Sequence, residues 1–128
     1  MSAQTGGDES GRAVVDSSQM VNEVRLVGRI SASPEERVLP SGDVLWTFRL
    51  VVPRPPARAG ARAGVDALDC SVWRGRVRRS VPGWAEGDVV EVTGSVRRRF
   101  FKVASGAAAS RFEIDVDAGR LIRRAASG

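Results

Sequence analysis

Histidine does not occur in this chain, and cysteine occurs once. The first absence removes the commonest general base together with the commonest metal ligand, so an enzyme built here would have to work with carboxylates or a lone thiol. The second excludes a disulfide framework within the chain. No Cys-x-x-Cys pair or Cys/His cluster offers a zinc site. No apolar run approaches the roughly 20 residues of a membrane-spanning helix, and the N-terminus lacks the basic-then-apolar order of a signal peptide. A soluble cytoplasmic protein with no cofactor and no membrane partner is expected.

What the chain does have is cationic charge and amphipathic alternation. Its 128 residues are 42% hydrophobic and 27% charged, which supports one modest core and not a second domain. Residues 1–20 hold Asp8, Glu9 and Asp16 against Arg12, a net of 1 − 3 = −2. The other 108 residues therefore carry 19 basic and 12 acidic side chains, a net of +7. Nineteen of the 20 basic residues are arginine; codon bias in a GC-rich genome explains that choice without invoking function. The positive field itself concentrates polyanions whichever cation supplies it. Residues 1–20, rich in Ser, Gly and acids, read as a disordered tail with Met20 as a candidate natural start. Residues 21–124 read as the folded domain and 125–128 as a short tail.

Along that domain, Val21–Ile30 alternates, with Val24, Leu26 and Ile30 inward and Arg25, Val27 and Arg29 outward, and Gly28 placed where a strand must bend. Ser31–Pro34 breaks the run. Glu36–Leu39 resumes it, and Pro40-Ser41-Gly42-Asp43 is a turn. Val44–Val52 puts Val44, Trp46, Phe48, Leu50 and Val52 on one face and Thr47, Arg49 and Val51 on the other; Trp46 is assigned to the core, with base stacking as the other option. Pro53–Gly64 should neither pair nor form a helix. It carries Arg54, Arg58 and Arg62 without an acid, as either a floppy loop or a cationic flap over a nucleic-acid backbone.

Val65–Trp73 is a third strand with Leu68, Cys70 and Val72 inward. Cys70 reads as a small buried hydrophobe. Trp73 lies opposite, followed by Arg74, and an indole beside a cation on the polar face points to base stacking or an oligomer contact. Val77, Val81 and Trp84 then recur at helical spacing, a short helix whose stripe closes the core. In Val89–Phe101, Val90, Val92, Gly94 and Val96 share one face, while Arg97, Arg99 and Phe101 share the other. Two guanidinium groups and a ring projecting one way can meet phosphates and stack a base, although an exposed solubilising strand has the same pattern. After a loop at Lys102–Ala109, the last strand is expected to turn Phe112, Ile114 and Val116 inward. Its outward Arg111, Glu113, Asp115 and Asp117 are acid-rich, so that surface should lie away from any polyanion path. A metal held by Glu113, Asp115 or Asp117 would be the enzymatic alternative, and a solvated strand face explains those acids better.

Five amphipathic strands with a helix between the third and fourth describe an all-β, five-stranded Greek-key OB-fold barrel. Its order agrees with that of a known family. VNEVRLVGRI, then SPEERVLPSG, then FRLVV, CSVWR and GDVVEVTGSVRRRFF resemble, from Val21 to about Arg124, successive segments of the bacterial single-stranded DNA-binding proteins. The resemblance implies a non-enzymatic subunit that stacks bases on aromatics and neutralises phosphates without reading sequence, in replication, repair or recombination, near the nucleoid. It also implies a homo-oligomer, a tetramer or a dimer.

Trp73 and Phe101 fall on two of the family's stacking positions, whereas Ala67 and Pro56 fall where members carry further aromatics. Arg25, Arg29, Arg49, Arg54, Arg58, Arg62, Arg74, Arg97 and Arg99 are the candidate phosphate contacts. The family's glycine-rich linker and acidic tip have no counterpart after RLIRRAASG, so recruitment through such a tail is not expected. The alternative function is an OB-fold module of the primosomal accessory type, with a protein as its main partner.

Overall fold

β-Branched and aromatic residues alternating with polar ones make strands because one face of a pleated ribbon can then be buried while the other stays wet. In the computed structural model, which describes residues 16–73 and 77–126, five segments do this. They are β1 (Val24–Val38), β2 (Val44–Arg54), β3 (Gly64–Val72), β4 (Val89–Lys102) and β5 (Ala108–Arg123). A four-residue helix, α1 (Val77–Ser80), and a 3-10 turn at Val81–Gly83 stand between β3 and β4. The strands close in the order β1-β2-β3-β5-β4, antiparallel except for a short parallel join of β3 to β5 at Cys70↔Ile114 and Ser71↔Asp115. This is the OB-fold barrel with its helix in the expected place.

The inward residues meet in a single core that includes Ile30, Leu50, Cys70, Val72, Val90, Val92, Ile114 and Val116. Burying each large aliphatic contributes about 1.5–3 kcal/mol. Val77, Val81 and Trp84 bring the expected helical stripe onto that core. Trp84 meets Phe48 edge to face at 5.6 Å and 87°, the geometry the ring quadrupoles favour. Asp88 ties the turn before β4 to the chain after β5. Its carboxylate accepts from the Ala125 and Ala85 amides at 2.8 and 2.9 Å and from Arg124 at 3.0 Å. These bonds, the Ala125 amide foremost, hold its pKa below the usual carboxylate range.

Two glycines make the curl. A side chain at Gly28 would meet the Val51 carbonyl oxygen at 2.5 Å, and one at Gly94 would run into the Asp115 carbonyl. Both are points where neighbouring strands approach more closely than a Cβ permits. At Gly94 the β4–β5 ladder also slips register.

Beyond Val24↔Gly94 no rung joins β1 to β4. The side chain of Asn22 takes over, donating to the Val96 carbonyl at 2.8 Å and accepting from the Val96 amide at 2.9 Å. From Arg97↔Glu113 to Lys102↔Ala108, β4 and β5 continue as a two-stranded arm.

Several expectations are corrected here. Ser31–Pro34 does not interrupt the first strand; β1 runs through it with two register irregularities, which bend a strand without ending it. Pro53 and Arg54 do pair, opposite Val65 and Gly64, because the hairpin ladder extends further than the proline-rich composition implied. Ahead of β1, Asp16 caps a 3-10 turn at Ser17–Gln19 through bonds to its own near neighbours. Phe112 has the inward parity but is 66% exposed, because it lies on the arm, past the point where the barrel has an inside.

Candidate nucleic-acid interface

Trp73 follows the last residue of β3, and its carbonyl accepts from Arg78 of α1 at 3.4 Å. The indole is half-buried and lines an open groove of about 440 Å³ with Ser95, Arg97, Arg99, Asp115 and Asp117. Alternation along β4 brings Arg97 and Arg99 to that side of the sheet. The Arg99 guanidinium lies 5.3 Å from the centre of the Trp73 ring. Its Nε donates to Glu113 at 2.5 Å, and Glu113 is also 3.9 Å from Arg111. Arg111 in turn lies 5.8 Å from the centre of the Phe101 ring, which is 43% exposed. Indole, guanidinium, carboxylate, guanidinium and phenyl thus follow one another across the outer face of β3, β5 and β4.

Glu113 and Arg111 also border a second groove of about 310 Å³, which includes Arg37, Arg49, Thr47 and Asp69. Arg49 Nε donates to Asp69 at 3.1 Å. The ion pair of Arg99, which lines the first groove, with Glu113, which lines the second, joins the two, and through the second groove the surface reaches β2.

The sequence expects the acids of β5 to lie away from the cationic surface; Glu113 and Asp115 instead pair with its arginines, while Asp117 is exposed. Glu113 is buried, accepting from Ser71 at 3.3 Å. Asp115 accepts from Arg97 at 3.4 Å. The hairpin register sets Glu113 directly across from Arg97 and, on the same face, two rungs from the pair Arg99↔Arg111. Cross-strand pairs of opposite charge stabilise a sheet by roughly 0.2–1 kcal/mol each, so these carboxylates add to the stability of the hairpin. Asp117 accepts instead from Thr93, at 3.3 Å. Among the described residues no group of three or more His, Cys, Asp or Glu is arranged to hold a metal ion.

The remaining cations divide. Arg25 does not open into the Trp73 groove; it pairs with Glu91, which Arg120 also holds at 2.7 Å, on the outer face of β1 and β4. The Arg120 bond, followed by that of Arg25, keeps the Glu91 carboxyl below its usual range. Arg29 lines a separate groove with Arg123, Val65 and Val89, because the bend at Gly28 carries it to another part of the barrel. Arg54 lies 3.6 Å from Asp66, and Arg58 and Arg62 are exposed on the β2–β3 loop. That loop is at the opposite end of the β2–β3 ladder from Trp73. Arg74 lies outside the described residues. Trp46 packs against the core, as its face implied. Cys70 is buried, and burial, aided by Asp69 and Glu113, pushes its thiol up to about 12.

Arg111 and Glu113 join this surface although the sequence alone places neither of them on it. Their signal is the pairing of SVRRRFF with RFEID across a hairpin, which becomes visible only once the register is known.

A model of the Single-strand binding protein family matches residues 21–122. The Single-stranded DNA-binding protein 1 of Lactococcus lactis subsp. lactis is 30% identical over 87 residues, covering 68% of this chain and 58% of that protein. The Single-stranded DNA-binding protein 3 of Listeria innocua is 33% identical over 87 residues, with 68% and 54% covered. The chain therefore matches a little over half the length of these relatives. Among solved structures, the Plasmodium falciparum SSB complex with ssDNA has the same fold, with a TM-score of 0.68 at 23% identity over 81% of this chain and 95% of that one.

Proposed function

This chain belongs to the single-strand binding protein family, and from that premise we propose that it binds single-stranded DNA across the outer face of β3, β4 and β5, without reading sequence and without catalysis. Bases stack on Trp73 and Phe101. Phosphates meet Arg97, Arg99, Arg111 and Arg49, with Arg54 at the end of β2 and the loop cations Arg58 and Arg62 extending the path. The observation that carries this reading is the unbroken series Trp73, Arg99, Glu113, Arg111 and Phe101. It sets two rings apart on one surface with guanidinium groups between them, as a strand with its bases splayed and its backbone charged requires. Arg25 and Arg29 are outside this path and are expected to contribute only to the general field. A homo-oligomer, tetramer or dimer, working in the cytoplasm completes the proposal.

Tryptophan fluorescence tests it directly. Of the three indoles, Trp84 is buried, Trp46 packs against the core, and Trp73 lines the groove. Oligo-dT should quench the wild-type emission, and Trp73→Ala should abolish most of the quench. Loss of either ring should weaken binding by about 1–3 kcal/mol. Titrations of Trp73→Ala and Phe101→Ala that superimpose on wild type would defeat the assignment.

A further inference from the structure

The arm formed by β4 and β5 has a second face. Arg98, Phe100 and Lys102 of β4 and Ser110 and Phe112 of β5 share it, since Arg98↔Phe112, Phe100↔Ser110 and Lys102↔Ala108 are its rungs. Phe100 is 69% exposed and Phe112 66%. Between them lies the Arg98 guanidinium, 5.0 Å from the Phe100 ring centre and 5.8 Å from that of Phe112, with its Nε donating to Ser110 at 3.1 Å. None of the six side chains on these rungs is acidic. The opposite face, by contrast, sets Glu113 among its arginines.

Two phenyl rings left in water with only a cation between them are unfavourable for an isolated subunit, and cations with no acid on the same face exclude a basic surface as their partner. A polyanion bearing flat apolar rings meets both conditions. Phe100 and Phe101 are adjacent in a strand, so they project to opposite sides of the arm. A polynucleotide stacked on Phe101 therefore reaches Phe100 by crossing the arm's edge.

We propose that this rear face is a second base-stacking subsite, with Phe100 and Phe112 as its rings and Arg98 and Lys102 as its phosphate contacts, so that one long single strand grips the arm from both sides. The proposal rests on the groove reading above, and strand length separates the two. A dT oligomer of about 8 nucleotides, within the roughly 4–16 covered by one OB-fold, fits the Trp73 groove alone. One of about 30 nucleotides reaches both faces.

The Phe100→Ala/Phe112→Ala double variant removes two exposed rings and should fold normally. It should bind the short oligomer as wild type does, with the fluorescence quench intact. On the long oligomer it should weaken by roughly fivefold or more, the equivalent of one lost stack. The Phe100→Tyr/Phe112→Tyr variant should restore binding. An iodouracil-substituted long strand should also photocrosslink to Phe100 or Phe112, and should still do so in Trp73→Ala. Equal affinity of the Ala variant and wild type for the long strand would overturn the proposal. So would a loss of affinity accompanied by a fall in oligomer mass on sedimentation, since the rings would then join copies of the chain. A wild-type protein that binds neither oligomer would remove the groove reading itself.

Discussion

Replacing Glu113 by glutamine should move stability and DNA affinity in opposite directions. The carboxylate is 6% exposed and serves Ser71, Arg99 and Arg111 at once. Stripping a buried ion of its partner ordinarily costs about 3–5 kcal/mol, because the survivor is stranded in a medium that cannot solvate it. Here the survivors are Arg99 and Arg111, whose side chains are 41% and 51% exposed, so both can turn to water. The cost should therefore fall to that of one charge-assisted hydrogen bond, about 1.5–3 kcal/mol, read as a lower urea midpoint with an unchanged slope. In the groove, meanwhile, two guanidinium groups lose the anion that competes with phosphate for them. Each added phosphate contact on a single strand steepens the dependence of log affinity on log salt by about 0.7. Glu113→Gln should steepen it by up to about 1.4 and bind oligo-dT more tightly at low salt. The assay is fluorescence titration across roughly 50–200 mM salt. An unchanged slope, or weaker binding at every salt concentration, would show that the carboxylate positions the arginines for DNA and does not compete with it.

Gly94→Ala should destabilise the protein by about 3 kcal/mol, the upper part of the range for overpacking, because the added carbon meets the backbone carbonyl of Asp115 and not a side chain that could move; urea denaturation measures it. Cys70, with its thiol near 12, should resist thiol-disulfide reagents at about pH 8 in the native protein and react at once in denaturant. The same shift means that the unfolded thiol ionises first, so stability should fall by up to about 1.4 kcal/mol per pH unit above roughly pH 9, and Cys70→Ser should flatten that decline. Asp88, held below its usual range in the folded state, should behave in the opposite sense. Its contribution is complete above the unfolded value near pH 4 and is lost as the pH falls toward the folded one. Asp88→Ala should cost about 3 kcal/mol at neutral pH by orphaning two amides and should remove this part of the acid dependence, as urea midpoints between about pH 3 and 7 would show.

The barrel was largely legible in the sequence because two periodicities carry it. Alternation marks Val90, Val92, Ile114 and Val116, and the i, i+4, i+7 stripe marks Val77, Val81 and Trp84. The placement of Trp73, Arg97 and Arg99 on one side followed from the same parity. What parity could not supply was register and reach. In the sequence Glu113 reads as solvated because its outward position is visible and its partner strand is not; only the register, with Arg97 across from it and the Arg99↔Arg111 pair two rungs on, makes it a buried counter-ion. Phe112 reads as core because alternation carries no mark of where a strand outlasts its barrel. Arg25 and Arg29 share the outward parity of the groove arginines because outward on a flat strand is one direction, whereas on a closed barrel it is many.

One small side chain near the start of the domain decides where cylinder ends and projection begins. By occupying both hydrogen-bonding groups of Val96, the Asn22 amide caps the ladder like the last tooth of a zipper. The β1–β4 seam thereby closes at Val96, and the free length of the arm is set at its root and not at its tip. A chain with a shorter or apolar residue at that site would be free to zip further, trading reach for rigidity.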